Sequence, residues 1–211
     1  MGVYLVTDRQ LTADRDVLRP VRQALDAGVR SVQLREKDMP PRELFYLARR
    51  MRELTSEYGA TLLINDRVDI AIAVGADGVH LGQKSMPPNE ARTVVGPGML
   101  IGVSAHGLTE ALAAVGSGAD FITLGPIFHT ESKVEFGEPL GVEKLKTVCA
   151  SVNAPVYAIG GIKREHISGV MLAGAAGIAV ISAVMGRPDV RASAVELVEE
   201  VKARRLRRVS E

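Results

Sequence analysis

Polar side chains that could bind phosphate and a divalent cation recur just past short apolar runs of this chain. The clusters lie at residues 33–37, 65–67, 82–83, 104–106, 130–133 and 180–182. A helix-like stretch follows each one, and a parallel barrel collects residues from distant parts of a chain onto one rim in this way. The predicted rim holds cations, a carboxylate, hydroxyls and glycines. This mixture suits phosphate and Mg²⁺ rather than thiol chemistry.

The first cluster reads Gln-Leu-Arg-Glu-Lys and places Gln33, Arg35 and Lys37 at strand spacing. In an extended chain these three side chains share one face. Arginine binds a phosphate bidentately and lysine acts as a point charge, so the pattern favours a multiply charged phosphate ester. The alternative is a solvated strand end in which Glu36 pairs locally.

The second cluster, Asn65-Asp66-Arg67, ends one apolar run and precedes a helical pattern. Asp66 could cap that helix, since aspartate is a favoured N-cap residue. If it instead faces bound phosphates, its carboxylate could hold Mg²⁺, which binds one or two carboxylates together with substrate oxygens. Arg67 is expected to support the start of the helix.

A long connection at residues 125–141 interrupts the regular alternation of apolar runs and helical patterns. Thr130, Ser132 and Lys133 supply two hydroxyls and a cation there, which is plausible phosphate chemistry. Loops of this length are usually functional or disordered, and we expect this one to close over a ligand.

Two later segments also suit an anion. Gly160-Gly161 would let backbone N–H groups approach a phosphate, or would serve tight helix–strand packing. Ile181 and Ser182 are expected to open the final helix, whose N-terminus could bind an anion. A phosphate between the last two βα units is a recurrent feature of barrels.

The elements that must position these residues alternate along the whole chain. Short runs rich in Val, Ile and Leu lie at residues 3–7, 31–34, 61–65, 78–81, 100–104, 121–124, 156–159 and 178–181. A flavodoxin-like sheet also alternates β and α but usually has fewer strands. Eight units favour an α/β fold of the (β/α)8 TIM-barrel type with eight parallel strands, and residues 1–211 read as a single domain. We expect Asp14 to precede the first helix and Pro40-Pro41 to open the second.

Composition limits the function classes. The 211 residues carry 26 Lys+Arg against 25 Asp+Glu, so no net field favours nucleic acid or a membrane. The one cysteine, Cys149, lies in an apolar pattern and is expected to be a buried structural thiol. We expect no signal peptide and no membrane span, and therefore a cytoplasmic protein. The sequence is compatible with a homo-oligomer but does not give the oligomeric state.

The histidines do not share metal-ligand spacing. His80 lies within a strand-like run and is interpreted as a satisfied core or rim residue. His166 is expected to be exposed on a late helix. His129 could carry a proton, because the ordinary pKa of histidine lies near neutrality.

Taken together, these motifs resemble the thiamine phosphate synthase and thiazole tautomerase superfamily. The resemblance extends from residues 4–8 to residues 180–182 and includes Gly125-Pro126 and the Thr-x-Ser-Lys loop in the expected order. It implies the condensation of hydroxymethylpyrimidine diphosphate with a thiazole phosphate, giving thiamine phosphate and pyrophosphate, with Mg²⁺ as cofactor. The small-molecule partners are therefore these two substrates.

The resemblance also implies roles for individual residues. The pyrimidine diphosphate would contact Gln33, Arg35, Lys37, Asn65 and Lys133, and Ser104 would help to hold the pyrimidine. The thiazole phosphate would contact Thr130, Ser132, Gly160, Gly161, Ile181 and Ser182. Asp66 would bind Mg²⁺, and the catalytic set would be Arg35, Lys37, Ser104 and Lys133.

The chain departs from the synthase pattern at one position. The family pattern after the fourth strand is Gly-Gln-Glu-Asp, whose aspartate is a second metal ligand, whereas this chain has Ser85 there after Lys84. Two alternatives remain open. One is a thiazole tautomerase, whose pattern has a histidine where this chain has Pro126. The other is a noncatalytic protein that binds thiazole or thiamine phosphate and has a regulatory role.

Overall fold

The computed structural model describes residues 2–130 and 138–209, the last three of these as backbone only. Eight parallel strands close into a barrel in sequence order, as predicted. The strands are β1 Val3–Val6, β2 Ser31–Leu34, β3 Thr61–Asn65, β4 Gly78–Leu81, β5 Leu100–Ala105, β6 Phe121–Leu124, β7 Val156–Ile159 and β8 Gly177–Val180. The helices that follow them are α1 Leu18–Asp26, α2 Pro41–Glu57, α3 Val68–Ala73, α4 Pro88–Val95, α5 Leu108–Gly116, α6 Gly141–Ser151, α7 Ile167–Leu172 and α8 Val190–Val209.

The strands separate two apolar regions because successive side chains point to opposite faces. The larger core lies between the barrel and its helices and includes Leu5, Val32 and Ile122. A second, smaller cluster contains Tyr4, Leu63, Phe121, Tyr157 and Ala179, which occupy the alternate strand positions. This inner cluster is rich in aromatic rings, and Phe121 meets both tyrosines edge to face.

Gly102 on β5 makes room for this inner cluster. A Cβ atom at Gly102 would overlap the ring of Phe121 and would lie 2.7 Å from Nδ1 of His80. A side chain at this position would therefore displace the residues that fill the barrel.

We predict that Gly102→Ala destabilises the fold. Overpacking a filled core typically costs about 1–3 kcal/mol, and the rigid ring of Phe121 leaves little room for relaxation. Gly169→Ala is the matched control, because a Cβ there meets nothing within 4 Å and the residue lies in α7. Urea unfolding should show a clear loss of stability only in the first variant. Equal stability of Gly102→Ala and the wild type would contradict this packing.

A repeated Gly-Ala-Asp turn connects helices to the strands that follow. In two of these turns the aspartate accepts a hydrogen bond from a strand N–H: Asp77 from Leu62 at 2.7 Å and Asp120 from Ile101 at 2.7 Å. The same two carboxylates accept from Arg52 and Arg92, each at 2.6 Å. The repeat therefore fixes the amino-terminal ends of strands, opposite to the rim where chemistry is predicted.

Three local predictions require correction, whereas Pro40-Pro41 opens α2 as expected. Asp14 does not start α1. The carboxylate of Asp16 accepts from the N–H of Leu18, where the helix begins. Cys149 is only half-buried, although it packs against the larger core.

The third correction concerns the final helix, which Ile181 and Ser182 do not open. The N–H groups of Val184 and Met185 bond to the carbonyl of Ile181 in a single turn, and α8 begins only at Val190.

Among the described residues, no helix has the length and apolarity needed to cross a membrane.

Candidate active site

The predicted site residues follow the carboxyl ends of different strands. Arg35 comes directly after β2, Asp66 after β3 and Gly160 after β7, while Ser104 is the penultimate residue of β5. Because the strands are parallel and the barrel is closed, these ends share one mouth. Ser132 and Lys133 lie outside the described residues, as does the rest of residues 131–137 in the loop expected to close over a ligand. Thr130 is the last described residue before that gap.

A chain of buried hydrogen bonds leads from the barrel interior to the mouth. The side-chain amide of Gln33 donates to the Tyr4 hydroxyl at 2.9 Å, and that hydroxyl lies 3.3 Å from Nδ1 of His80. Nε2 of His80 lies 3.0 Å from Oγ of Ser104 and 3.3 Å from Oγ1 of Thr123. Gln33 is thus placed below the rim, against Tyr4, rather than on its surface.

Burial controls the protonation of His80 and Tyr4 in this hydrogen-bonded path. His80 is only 3% exposed, and desolvation lowers its pKa to about 3. The nearby charge of Asp66 opposes this shift, and that of Arg35 adds to it. Burial also raises the pKa of the Tyr4 phenol above its usual range. Both groups are therefore neutral at physiological pH, and the interpretation of His80 as a satisfied buried residue is confirmed.

Asp66 does not have the backbone conformation of a helix cap. Its φ of 59° lies in the left-handed region, which aspartate tolerates better than most residues. The residue at the N-cap of α3 is Arg67, whose guanidinium donates to Asp69 in the first turn at 2.8 Å. The capping alternative for Asp66 is therefore wrong, and Arg67 occupies the N-cap position of α3.

The Asp66 carboxylate is held on both oxygens. The amide of Asn65 donates to Oδ2 at 2.8 Å, and the hydroxyl of Ser85 donates to Oδ1. Ser85 in turn accepts from the N–H of Gly82 at 2.6 Å. The residue that stands at the family's second ligand position is thus directly beside Asp66.

Asp66 and Ser85 offer few metal ligands, so they fit a magnesium ion whose other ligands are waters and phosphate oxygens of the substrate. In the described parts of the chain, no group of three or more His, Cys, Asp or Glu side chains could hold a metal. Asp66 offers one carboxylate and Ser85 one hydroxyl, and Mg²⁺ commonly takes one or two carboxylates and fills its shell with waters and phosphate oxygens.

The cation cluster after β2 depends on a carboxylate that sequence reasoning treated only as a local partner. Glu36 is 5% exposed and accepts from Oγ1 of Thr7 at 2.6 Å and from the N–H of Arg9 at 3.1 Å. Oγ1 of Thr7 accepts from the N–H of Arg35 at 2.9 Å. Burial raises the pKa of Glu36. Glu36 therefore joins the loop after β1 to the backbone that presents Arg35.

Gly160 and Gly161 pack tightly against the start of the long loop. Both have positive φ, 94° and 64°, and a Cβ at Gly160 would lie 2.7 Å from Pro126. The N–H of Ile127 bonds to Ile159, and that of Phe128 to Gly160. His166 is half-buried rather than exposed, since it stacks on Phe128 at 3.8 Å and its Nδ1 lies 3.0 Å from the Gly161 carbonyl. The two glycines therefore pack against the loop after β6 rather than between a helix and a strand, and they fix the segment that leads to Thr130. Their contact with a phosphate stays a prediction.

Comparison with known proteins identifies the family. The chain matches the thiamine monophosphate synthase family over residues 3–184. The chain belongs to this family. It is 55% identical over 197 residues to a provisionally named thiamine-phosphate synthase of Geobacter sulfurreducens, covering 93% of this chain and 92% of that one. It is 47% identical over 199 residues to the thiamine-phosphate synthase of Moorella thermoacetica, covering 94% and 95%.

A solved structure of a relative has the same fold. Thiamine phosphate pyrophosphorylase from Pyrococcus furiosus superposes with a TM-score of 0.88 at 41% identity and covers 96% of both chains. The family resemblance inferred from the motifs is therefore confirmed. The roles of the individual site residues remain predictions.

The residues that sequence reasoning missed are those that support the site from within. Tyr4, Thr7 and Thr123 are buried residues with hydroxyl groups that the predicted site lacks; Tyr4 and Thr123 lie within strands, and Thr7 directly follows β1. A hydroxyl within an apolar strand run was the available signal. Its partners were not readable from the sequence, since Tyr4 and His80 lie 76 residues apart.

Proposed function

We propose that this protein is a thiamine-phosphate synthase, which joins hydroxymethylpyrimidine diphosphate to a thiazole phosphate and releases pyrophosphate. The observation that carries the proposal is the extent of the family match combined with a mouth that presents Arg35, Asp66 and Ser104 together. In this reaction the bond between the pyrimidine methylene and the diphosphate oxygen breaks, and its electron pair leaves with pyrophosphate. The thiazole nitrogen then supplies the electron pair of the new C–N bond.

Such a reaction depends on stabilising the departing diphosphate more than on a protein nucleophile. Arg35 and Lys37 would bind the diphosphate oxygens, and Lys133 would add a third cation. Asn65 would contact the same substrate from the end of β3. Ser104 would hold the pyrimidine ring so that the methylene faces the thiazole. In this proposal, the charge that develops on the leaving group would be stabilised by these cations.

Magnesium is the proposed cofactor. Asp66 would hold the ion together with substrate oxygens, and Ser85 would contribute a hydroxyl instead of the family's second carboxylate. When bound, Mg²⁺ neutralises charge on the diphosphate. Asp66 is already oriented by Asn65 and Ser85, so little reorganisation is needed on the protein side.

The thiazole phosphate would be bound on the opposite side of the mouth. Gly160 and Gly161 follow β7, while Ile181 and Ser182 follow β8. Backbone N–H groups of these turns would bind the phosphate, assisted by the hydroxyls of Thr130 and Ser132. A cytoplasmic location is part of the proposal and is supported by the single cysteine.

The proposal is tested by measuring pyrophosphate release in reactions from which one component is omitted at a time. A synthase releases pyrophosphate only when the pyrimidine diphosphate, the thiazole phosphate and Mg²⁺ are all present. Isomerisation of the thiazole phosphate without pyrophosphate would identify a tautomerase. Binding of either ligand without turnover would identify a noncatalytic protein.

We predict that Ser85→Asp tightens magnesium binding. A carboxylate at this position would face Asp66, so the two like charges should lower the melting temperature without metal, and Mg²⁺ should restore it. Half-maximal activity should occur at a lower Mg²⁺ concentration, roughly tenfold for one added carboxylate ligand. Ser85→Asn is the matched control, since it has the same shape without charge. Identical Mn²⁺ affinities of the two variants, measured by electron paramagnetic resonance with pyrophosphate present, would place residue 85 away from the metal.

A further inference from the structure

Four buried residues with polar side chains lie in the barrel interior, beside an apolar aromatic cluster. Tyr4, Gln33, His80 and Thr123 are each no more than 3% exposed, yet they adjoin the aromatic cluster of Phe121 and Tyr157. Burying a polar group is costly unless it is hydrogen-bonded, and apolar residues of similar size would fill the same space. Their hydrogen bonds form one continuous path that ends at Ser104.

The direction of each bond in this path follows from the donors available. An amide NH₂ can only donate, so the Tyr4 oxygen accepts from Gln33 and its own proton is free to donate to Nδ1 of His80. The Tyr4 hydroxyl is buried, and among the described residues Nδ1 of His80 is the acceptor within its hydrogen-bond range, so we assign Nδ1 as the acceptor. A neutral imidazole with Nδ1 unprotonated carries its proton on Nε2, and that proton points to Oγ of Ser104.

Ser104 receives hydrogen bonds from two sides. Nε2 of His80 lies 3.0 Å from its oxygen, and Oγ1 of Thr123 donates to the same oxygen at 3.3 Å. A hydroxyl oxygen has two lone pairs, which these donors occupy. The remaining capacity of Ser104 is its own proton. Ser104 is half-buried, so that proton can reach the mouth of the barrel.

We propose that His80 is a positioning residue that holds Ser104 as a hydrogen-bond donor toward a ring nitrogen of the pyrimidine substrate. This inference rests on the proposed function and extends it to substrate recognition. A pyrimidine ring nitrogen carries a lone pair and accepts a hydrogen bond, whereas the exocyclic amino group donates. A serine that can only donate therefore selects the ring nitrogen and fixes the rotation of the ring about its methylene bond.

The aromatic cluster offers a matched pair of variants. Tyr4→Phe removes the hydroxyl that fixes the His80 tautomer and leaves the ring in place. Tyr157→Phe makes the same change in the same cluster, and the charge that acts on the pKa of Tyr157 is that of Arg205 in α8. A role in packing alone predicts similar effects for the two variants.

The first measurement is the tautomer of His80 by ¹⁵N NMR at pH 7.5, which needs no turnover. The wild type and Tyr157→Phe should show the Nε2–H form, and Tyr4→Phe should show a mixture of both tautomers. The Nδ1–H form in the wild type would overturn the proposal, since Ser104 would then have to donate to His80.

The second measurement is ligand affinity by calorimetry, with the pyrimidine diphosphate and the thiazole phosphate titrated separately. His80→Leu should weaken binding of the pyrimidine diphosphate by roughly 10- to 100-fold and binding of the thiazole phosphate by less than about twofold. Only the pyrimidine loses the hydrogen bond from a correctly oriented Ser104. His80→Gln, whose amide can still donate to Ser104, should recover most of the affinity. Adding His80→Leu to Ser104→Ala should cause little further loss.

Equal weakening of both ligands, or an additive loss in the double variant, would overturn the positioning role. If His80→Leu does not fold, the comparison of Tyr4→Phe with Tyr157→Phe carries the same test with a smaller expected loss. A wild type that binds the pyrimidine diphosphate as described but forms no thiamine phosphate would refute the proposed function and leave this inference intact.

Discussion

Replacing Arg35 with alanine is expected to lower kcat/KM for the pyrimidine diphosphate by roughly 100- to 1,000-fold, the usual effect of removing one group that stabilises transition-state charge. The backbone of Arg35 is fixed through Thr7 to the buried Glu36. Among the described residues, no carboxylate forms a salt bridge with its guanidinium. Steady-state kinetics with each substrate varied in turn would measure the effect.

Two companion variants make this result specific. Arg35→Lys keeps the charge but loses bidentate binding, so its activity should fall between those of the alanine variant and the wild type. Arg67→Ala removes a cation that pairs with Asp69 one loop away and should retain nearly full activity. Equal activity losses in the two alanine variants would indicate a general field effect rather than a diphosphate contact.

Replacing Asp66 with asparagine is expected to abolish most magnesium-dependent turnover, by roughly 100-fold or more, because the metal would lose its carboxylate ligand. Asparagine has the same shape and also tolerates the left-handed conformation seen at Asp66, with φ of 59°. The fold should therefore be kept. Turnover measured across a Mg²⁺ titration should show no recovery at concentrations that saturate the wild type.

Asp69→Asn is the control for this prediction. It removes a neighbouring surface carboxylate that pairs with Arg67 and does not contact Asn65 or Ser85 in the described hydrogen bonds. Its Mg²⁺ titration should match that of the wild type. An active Asp66→Asn variant with an unchanged Mg²⁺ requirement would remove Asp66 from the metal site.

The barrel could be predicted from the sequence because its strands are signalled locally. Every predicted run coincides with a strand to within one residue at each end. The apolar pattern after β8 places the start of α8 too early, at Ile181 and Ser182. Gly186 and Pro188 interrupt that pattern, and Asp189 caps the helix through the N–H of Ala192 at 2.8 Å. These breakers were visible in the sequence.

The site was only partly predictable, for a different reason. The described residues expected at the mouth, such as Arg35, Asp66 and Ser104, lie near the ends of strands, a position that the order of elements determines. The contacts below the mouth join residues from separate strands, such as Tyr4 with His80 and Thr7 with Glu36. No local period encodes such pairs, because they depend on the register of the closed barrel. Ser85 beside Asp66 was anticipated only through the family resemblance.

The most direct test of the proposed activity is to quantify thiamine phosphate and pyrophosphate in one reaction containing the purified protein, both substrates and Mg²⁺. Mass spectrometry would identify thiamine phosphate, and an enzymatic assay would count pyrophosphate. The synthase proposal predicts that the two products form in equal amounts and that Arg35→Ala reduces both together. Folded protein that binds both substrates yet forms no thiamine phosphate, or that only isomerises the thiazole phosphate, would contradict it.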